Sequence, residues 1–599
     1  MRRPPALLLL LVSLLALPAA AQSVGGLSLR DAAGERAWPA APRLALELPA
    51  APAVTLDSVV RAMPEKVLEI EEWNASGHVP LRNGVRRPFV DPVRVQVGGA
   101  AAKRAVSPLG RGIAAATSRG IAWATNVKVG GASRLRLHLS NVKLPDDAVL
   151  WVYGGNDTTA FGRELVDPSG GLWTPSAWGD TIHLELEIGA SETASFAVDE
   201  VLELLDCVEC GGHAAAPTVA AWPPHSTKPN DTPSCLVDVM CVTQTPLPLD
   251  NVKRAIAHLE FVVPEGGAAC SGGLINDAQG DGTPYLITAN HCISTQSAAS
   301  SVQAYFDWTY ASCVSTTIPP LSGVPKASGA ALLATKSADS GSDVTLLRLN
   351  SRPAGRFLLG WTNDRTAVQN GTTLYRVSHP APSGFGVQPQ QYSTSAVTAS
   401  GPRCGLVASN FIFATNQIGG TYAGSSGAPD LLEDGRIAGQ LFGGCAPVGH
   451  DPQSGCDTAV LNVDGAFSAS FAALQPFLNP SAALCTPSAT VACLNESRFS
   501  VRIDWKTSGG QTGQGQVINL TDNSVLFWFF GPDNVEVLVK VLNGCPVSNT
   551  YWVFSAAATD VEYTITVTDA LAGKTKTYFH AGGAAAPAVT DTNAFATCP

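Results

Sequence analysis

The stretch YLITANHC, residues 285–292, determines how the rest of the chain is interpreted. It is a short apolar run that ends with His291 directly before Cys292. Histidine changes charge near neutral pH, and it serves both as a general base and as a metal ligand. This stretch alone leaves three interpretations of His291 open: a metal site, a residue of the core, or one member of a catalytic group. In the third case the other members must lie elsewhere in the chain.

The composition is typical of an exported, loop-rich β protein. The chain carries 38 Lys and Arg against 49 Asp and Glu, a net charge of −11, which argues against a nucleic-acid partner. Gly and Pro are abundant, and long helical periodicity is scarce. Residues 1–21, two arginines followed by an apolar run and small residues, read as a secretory signal peptide. Since no later apolar run reaches the ~18 residues of a membrane helix, we expect a secreted protein without a membrane anchor.

The cysteines fit an oxidising compartment. All 14 lie at or after Cys207, and an even number there predicts disulfide bonds. Cys207 and Cys210 form a CxxC pair that could bind metal. One such pair without a second ligand pair is a weak signal. We therefore expect no metal and no other cofactor.

Strand signals and loop composition divide the chain into segments. RLRLHL (134–139) and TIHLELEI (181–188) alternate apolar and polar residues, the pattern of half-buried strands. The predicted segments are a signal peptide (1–21), an N-terminal arm (22–97), a β-sandwich (98–210), a Pro- and Ala-rich linker (211–234), a β-barrel domain (235–485) and a C-terminal β-sandwich module (490–599). The predicted fold class is all-β. We call residues 22–210 the leader.

Two further motifs could complete a catalytic group with His291. GSSGAP (424–429) places Ser426 in a glycine-flanked turn, where backbone N–H groups can face an oxyanion. SDVTLLRL (342–349) has Asp343 at the start of an apolar strand. Each motif alone is usually structural. Together they give the order His, Asp, Ser, at steps of 52 and 83 residues, which is the order of the chymotrypsin-type triad.

At these residues the chain resembles the trypsin-like serine proteases. CSGGLI (270–275), YLITANHC, DVTLLRL and GSSGAP look like the signature segments of that family. The opening CLVDVMC (235–241), followed by ACSGGLIN, is more similar to the bacterial lysyl endopeptidases than to animal trypsins. The resemblance covers residues 235 to about 477. It implies a chymotrypsin-like double β-barrel that cleaves protein or peptide substrates, exported by a bacterium through the periplasm, and we expect a monomer.

The resemblance implies a role for each motif residue. Ser426 would attack the peptide carbonyl and form an acyl-enzyme, with His291 as general base and Asp343 orienting the imidazole. The N–H groups of Gly424 and Ser426 would form the oxyanion hole.

The resemblance also implies part of the disulfide pattern. It pairs Cys270 with Cys292 and Cys241 with Cys313, and it joins Cys235 to either Cys445 or Cys456. Cys404 has no counterpart in the family pattern, so one additional bridge is expected near the specificity region.

Two positions depart from the trypsin pattern. Ser425 stands where trypsins have the aspartate that receives the new N-terminal ammonium after activation. Gly420, six residues before Ser426, stands where trypsins have the aspartate that binds basic side chains. Activity must therefore be restrained in another way, and basic substrates must be bound by another acid.

The lysyl endopeptidases place that acid some thirty residues after the serine. Asp457 lies there, while Asp464 and Asp451 are alternatives. A preference for Lys or Arg before the scissile bond is expected on this basis. In GQLFGG (439–444), Phe442 would flank the pocket, and Gly443 would lie on the strand edge that pairs with the substrate backbone.

The leader is too large to be a targeting tail only. Large proregions of secreted bacterial proteases assist folding and block the active site until they are removed. The resemblance implies both roles here, as intramolecular chaperone and as inhibitor.

A rival interpretation makes the protein a catalytically weak protease fold that binds surfaces or carbohydrates through its β-sandwich modules. The aromatic residues of these modules are more often core residues than ligand platforms.

Overall fold

The protein is known here from a computed structural model. It describes residues 22–34, 36–44, 52–98, 107–155, 157–205, 235–313, 315, 317–382, 386–452, 454–455, 457–479, 485–495, 497–548, 550–570, 572 and 574–597. The predicted signal peptide and linker lie outside these residues. The chain divides into two compact units, Met1–Leu474 and Gln475–Pro599. Strands dominate both units, as the predicted all-β class requires. Within the described part, every helix is too short or too polar to cross a membrane.

The leader is a β-sandwich with two small helices. Its elements are β1 (Ser23–Val24), β2 (Leu27–Ser28), β3 (Val54–Asp57), α1 (Val59–Ala62), α2 (Pro64–Ala75), β4 (Leu81–Gly98), β5 (Ser107–Leu109), β6 (Gly112–Ala116), β7 (Ile121–Gly130), β8 (Arg134–Lys143), β9 (Val149–Gly154), β10 (Asp157–Phe161), β11 (Leu172–Trp173), β12 (Ala177–Trp178), β13 (Thr181–Ile188) and β14 (Thr193–Leu204). One sheet has the order β10-β9-β13-β7-β6-β5, with β3 beside β7, and the other contains β11, β12, β8, β14 and β4. Inward residues of both sheets, such as Leu184 and Val198, share one core.

The sandwich begins earlier than the sequence pattern predicts. The predicted boundary was residue 98, but β4 ends there, and Val93, Val95 and Val97 belong to the core. Pro88 and Pro92 interrupt the alternation of apolar and polar residues in this strand. The sequence pattern therefore predicts an irregular arm where the structure has a strand.

The first barrel follows the leader. Its elements are β15 (Val237–Asp238), α3 (Leu249–Ala255), β16 (Ile256–Val263), β17 (Gly266–Ile275), β18 (Tyr285–Ala289), α4 (Gln296–Ser300), β19 (Gln303–Phe306), β20 (Lys326–Ser328), β21 (Ala330–Lys336) and β22 (Val344–Leu349). Strands pair in the order β20-β19-β16-β17-β18-β22-β21. The two-residue strand β15 lies outside this order and pairs with a strand of the second barrel. Because β17 also pairs with β4, Gly267 opposite Gly84, the leader and this barrel share one 12-stranded sheet.

The second barrel is closed. Its elements are β23 (Phe357–Leu358), β24 (Trp361–Thr362), β25 (Thr373–Ser378), β26 (Gln391–Val397), β27 (Phe411–Ile418), β28 (Pro429–Leu431), β29 (Ile437–Cys445), β30 (Leu461–Ala466) and α5 (Phe467–Leu478). The order β29-β28-β25-β26-β27-β30 returns to β29. Phe467 and Phe471 of α5 pack against Trp361, with ring centroids 5.6 and 5.0 Å apart.

The second unit is a β-sandwich of two five-stranded sheets. Its elements are β31 (Ala492–Leu494), β32 (Phe499–Lys506), β33 (Thr512–Gln514), β34 (Gln516–Thr521), β35 (Ser524–Trp528), β36 (Val535–Asn543), α6 (Cys545–Ser548), β37 (Tyr551–Ala557), β38 (Glu562–Asp569), β39 (Lys574–His580) and β40 (Val589–Phe595). Both sheets contribute to one core, for example Phe499 and Val539. The barrel domain was predicted to extend to residue 485, but Cys485 is bonded to Cys493 within this second unit.

Candidate active site

His291 and Asp343 form a buried pair at the ends of two neighbouring strands. His291 follows β18, Asp343 precedes β22, and these strands pair with Ala289 opposite Val344. The Nδ1 atom of His291 lies 2.7 Å from Oδ2 of Asp343, and the His291 backbone N–H donates to Oδ1 at 3.0 Å. The side chains are 12% and 2% exposed. The carboxylate therefore fixes both the ring and the backbone of the histidine.

The backbone at Asp343 is strained and supported from several sides. Its φ of 56° lies in the left-handed region, which non-glycine residues seldom adopt. The Asn290 N–H donates to the Asp343 carbonyl at 3.0 Å, and Nε2 of Gln440 donates to the Ser342 carbonyl at 2.6 Å. The Ser342 hydroxyl lies 2.7 Å from that of Ser470. These contacts hold the carboxylate in position for His291.

In the turn that carries Ser426, the peptide groups before Gly424 and Ser426 are held by hydrogen bonds to their carbonyl oxygens. Its glycines Gly424 and Gly427 have φ values of 88° and 79°. The carbonyls of Ala423 and Ser425 accept hydrogen bonds at 2.7 and 3.0 Å, from the N–H groups of residues 381 and 428. Since the C=O and N–H of a trans peptide point in opposite directions, the N–H groups of Gly424 and Ser426 point away from the donors at residues 381 and 428. Within the described residues, neither N–H has an acceptor.

Ser271 connects this turn to the histidine loop. Its hydroxyl donates to the Gly424 carbonyl at 2.8 Å, and its N–H donates to the Ser426 carbonyl at 2.9 Å. Its own carbonyl accepts from the Thr288 hydroxyl at 2.8 Å. A Cβ on Gly427 would lie 2.2 Å from Oγ1 of Thr288, so the two segments are in direct contact. Sequence reasoning missed Ser271, although it directly follows a cysteine predicted to bond beside the histidine.

The hydrogen bond between Ser426 and His291 is not formed in this structure. Nε2 of His291 is buried and has no hydrogen-bond partner among the described residues. Catalytic hydrogen bonds are often long without substrate and tighten when it binds. The ring of Phe442 packs edge-on against the imidazole, with centroids 5.9 Å apart. A Cβ on Gly443 would meet nothing within 4 Å, so open space adjoins the strand edge predicted to bind substrate.

A disulfide bears on one of the three interpretations of His291, the metal site. Cys270, Cys292 and His291 offer ligand atoms within 4.8 Å of one another, a spacing that a metal ion could use. However, Cys270 and Cys292 are bonded to each other, so their sulfurs are not free thiolates. The metal interpretation of this cluster is therefore excluded.

The remaining bridges resolve most of the predicted pattern. Cys241 is bonded to Cys313, and Cys404 to Cys445, which supplies the additional bridge. Cys235 is also in a disulfide. Because Cys445 is occupied, Cys456 is the remaining alternative, and it lies outside the described residues.

Asp457, the acid expected to bind basic side chains, lies in a loop beside His450. Its side chain is 28% exposed and lies 2.6 Å from Nδ1 of His450. This hydrogen bond lowers the pKa of Asp457. Its loop still adjoins the position that binds basic side chains in trypsins, since a Cβ on Gly420 would lie 2.2 Å from the Gly455 carbonyl. No side chain, and hence no aspartate, fits at Gly420.

The two alternative acids differ in accessibility. Asp464 is buried in the second barrel with Arg376 and Asp430. Burial raises the pKa of Asp464 well above its usual range, and nearby Asp430 adds to this against the effect of Arg376. Asp464 is thus engaged in the core, whereas Asp451 is exposed.

Two buried histidines lie beside the turn that carries Ser426. The His379 N–H donates to the Ser271 hydroxyl at 3.0 Å, and its Nδ1 lies 3.1 Å from the Gln388 carbonyl. Its ring is 5.5 Å from that of His258 and stacks on Trp308 at 5.4 Å. Burial, and secondly His258, keep the pKa of His379 well below its usual value. This lowered pKa favours the neutral ring, and the buried contacts of His379 support a structural role.

Residues 229–458 match the family described as lysyl endopeptidase, C-terminal domain. This region is a trypsin-like serine protease domain related to lysyl endopeptidase. The chain is 26% identical over 281 residues to the lysyl endopeptidase of Pseudomonas aeruginosa. That match covers 45% of this chain and 55% of the relative, so the lysyl endopeptidase relationship extends over about half the length of each protein.

Solved structures show weaker similarity. GrC is 16% identical, with a TM-score of 0.28, and the match covers 37% of this chain and 93% of GrC. The HtrA-type protease AlgW with tripeptide is 13% identical, with a TM-score of 0.27, and the match covers 55% of this chain and 93% of AlgW. The relationship to lysyl endopeptidase therefore rests on the sequence matches.

Proposed function

We propose that this protein is a secreted serine endopeptidase that uses Ser426 as nucleophile, His291 as general base and Asp343 as the orienting acid. The observation that carries the proposal is the buried His291–Asp343 pair, joined through Ser271 to a turn with two unbonded N–H groups. The relationship to lysyl endopeptidase supports the same reaction class. The disulfides and the signal-like N-terminus support secretion.

The reaction begins when the Ser426 hydroxyl attacks the peptide carbonyl. His291 Nε2 takes the hydroxyl proton, and Asp343 stabilises the imidazolium through Nδ1. The N–H groups of Gly424 and Ser426 donate to the oxyanion, where one lost donor typically costs about 3–4 kcal/mol of barrier. His291 then gives the proton to the leaving amine, and water hydrolyses the acyl-enzyme in the second half of the cycle.

For specificity we propose cleavage after Lys or Arg, with Asp457 as the acidic partner. A substrate cation would replace the contact of Asp457 with His450. The position of the Asp457 loop against Gly420 and the relationship to lysyl endopeptidase support this choice. Phe442 would flank the pocket beside the imidazole, and Gly443 would lie on the strand edge that pairs with the substrate backbone.

A casein assay with Ser426→Ala tests the proposed function. We expect wild type to hydrolyse casein and a serine-directed inhibitor to stop it. Ser426→Ala should lose several powers of ten in rate while remaining folded. Ser409→Ala, which removes an exposed hydroxyl, is the matched control and should keep full activity. If Ser426→Ala retains more than about a tenth of the activity, the assignment is wrong. If wild type is inactive, binding through the β-sandwich modules becomes the better interpretation.

We further propose that the leader acts as a folding partner of the protease domain. The shared sheet supports this role, because barrels rich in non-local contacts fold slowly and benefit from a preformed surface. The inhibition that the resemblance implies stays a prediction for the uncut chain only.

A further inference from the structure

The leader is joined to the protease domain (residues 235–474) by strand pairing at three separate places. In the first barrel, β4 pairs with β17, with Ala269 opposite Leu81. At the start of the second barrel, β2 pairs with β23 and β1 pairs with β24. Such main-chain pairing along strand edges is how proteins bind extended segments of a partner.

The first residues of the leader also bury side chains in the protease domain. Leu27 and Leu29 pack against the core of the first barrel. The Asn276 side chain donates to the Gly25 carbonyl at 2.9 Å. Arg352, itself 3% exposed, donates from Nη1 to the Asp31 carbonyl at 2.9 Å. Residues 23–31 thus contact both barrels of the protease domain, although they precede the strands of the sandwich in sequence.

A buried ion pair joins the sandwich itself to the first barrel. Arg134 of β8 donates to both carboxylate oxygens of Glu260 of β16, at 2.8 and 2.7 Å, and both side chains are 2% exposed. Burial opposes ionisation of Glu260, yet Arg134 and His258 outweigh it and hold the pKa of Glu260 well below its usual range. Nearby, Arg136 donates to the Ser301 carbonyl at 2.7 Å. Because these charges are matched across the interface, separation would leave Glu260 without its arginine.

The catalytic group takes no part in this interface. In the described part of the leader, no residue has a hydrogen bond, ion pair or ring contact with His291, Asp343, Ser426 or Phe442. Binding of the leader and access to the catalytic group are therefore compatible for these residues.

From these contacts we infer that the leader remains a non-covalent subunit of the protease after the chain between them is cut. The active protein is then two chains that share a sheet, and dissociation of the leader is not required for hydrolysis. This inference rests on the proposed function only in assuming that the second chain is a protease.

The test of association uses catalytically inactive protein. A recognition sequence for a specific protease is inserted between residues 211 and 234 of the full-length Ser426→Ala variant, and the chain is cut there. We expect two bands on a denaturing gel and one species containing both fragments in size-exclusion chromatography. Separate elution of the fragments overturns the inference, whatever the protein's activity proves to be.

Interface variants identify the contacts that hold the fragments together. Arg134→Gln should raise the dissociation constant of the cut protein about a hundredfold or more, because it leaves Glu260 buried and unpaired. Arg119→Gln, which removes an ion pair with Glu187 inside the leader, is the matched control and should leave association unchanged. An unchanged dissociation constant for a folded Arg134→Gln protein contradicts the inference.

If Arg134→Gln does not fold, an exchange of the charges at Asp157 and Lys326 tests the same interface. Lys326 of the first barrel lies 3.0 Å from Asp157 of the leader, and both are partly exposed. Asp157→Lys alone should weaken association, and adding Lys326→Asp should restore it. Failure of the second change to restore association counts against this interface.

The same cut in wild-type protein separates the inference from the proposed function. We expect the two-chain form to hydrolyse casein with both fragments still co-eluting. Hydrolysis that begins only after the leader is lost overturns the inference. Absence of hydrolysis in either form overturns the proposed function and leaves the association result standing.

Discussion

Asp343 binds His291 at two points, its Oδ2 atom facing the ring Nδ1 and its Oδ1 atom accepting the backbone N–H of the same residue. Two contacts to one carboxylate fix the rotation of the ring as well as its tautomer. With the proton held at Nδ1, Nε2 is left as the acceptor that the proposed role of Ser426 requires.

Asp343→Asn should therefore abolish most activity without loss of the fold. An amide can present its NH₂ group to Nδ1, which favours the wrong tautomer, and the expected loss in kcat is roughly 10⁴-fold. Steady-state hydrolysis of a lysine peptide gives kcat, and circular dichroism monitors the fold. Asp434→Asn, at an exposed ion pair with Arg436, should behave as wild type. A loss of less than about tenfold would show that Asp343 is not the orienting acid.

Ser271→Ala should lower the rate of acylation. It removes the donor to the Gly424 carbonyl and the acceptor for the His379 N–H, both buried. We expect kcat to fall about tenfold with KM little changed, and stability to fall by about 1–3 kcal/mol. Active-site titration with an acylating reagent measures the first effect and urea unfolding the second. Ser337→Ala, at an exposed hydroxyl pair, is the control. A rise in KM at unchanged kcat would argue against positioning of the turn.

Asp457→Ser should remove the preference for basic residues. A substrate ammonium that loses its carboxylate partner loses differential binding of a few kcal/mol, which corresponds to about two powers of ten in kcat/KM. A peptide library measures the profile before and after the change, with the exposed Asp451→Ser as control. Cleavage of wild type mainly after Phe or Leu would refute the assignment.

His379 should make the protein less stable in acid. Its pKa is lowered in the folded state, so below the unfolded value of about 6.5 the unfolded chain binds the extra proton. The contribution of His379 is complete above that pH and is lost as the pH falls, by up to about 1.4 kcal/mol per pH unit. Urea unfolding between pH 7 and 5 measures the slope. His379→Asn, which offers an N–H for the Gln388 carbonyl without titrating, should reduce the slope by one proton. An identical slope in wild type and variant would exclude His379 as the cause.

The candidate catalytic residues could be found from the sequence because each has a strong local context. His291 follows the apolar strand β18, and Asp343 precedes the apolar strand β22. Ser426 lies in a glycine-flanked turn. Once these three segments are aligned with one family, their chain order gives the expected arrangement. The barrel strands beside them follow from the same apolar runs.

Contacts between distant segments were not predictable in this way. The pairing of β4 with β17 joins residues about 185 positions apart, and neither strand carries a local signal for its partner. The contact of Asp457 with His450 is made within one loop, and no recognisable motif marks it. Ser271 bonds to backbone carbonyls of the turn that carries Ser426. Every residue type has such carbonyls, so no sequence pattern marks these contacts.

The place of β4 beside β17 has a consequence for production of the protease domain alone. Without the leader, the backbone groups of residues 267–269 that now bond to β4 become an open strand edge. This edge is rich in glycine and alanine and carries no charge or proline that would hinder pairing with a second molecule. Overexpressed protease domain should therefore collect in inclusion bodies. A lysine introduced at Gly267, where the atoms nearest to a Cβ all belong to the leader, should increase the soluble fraction.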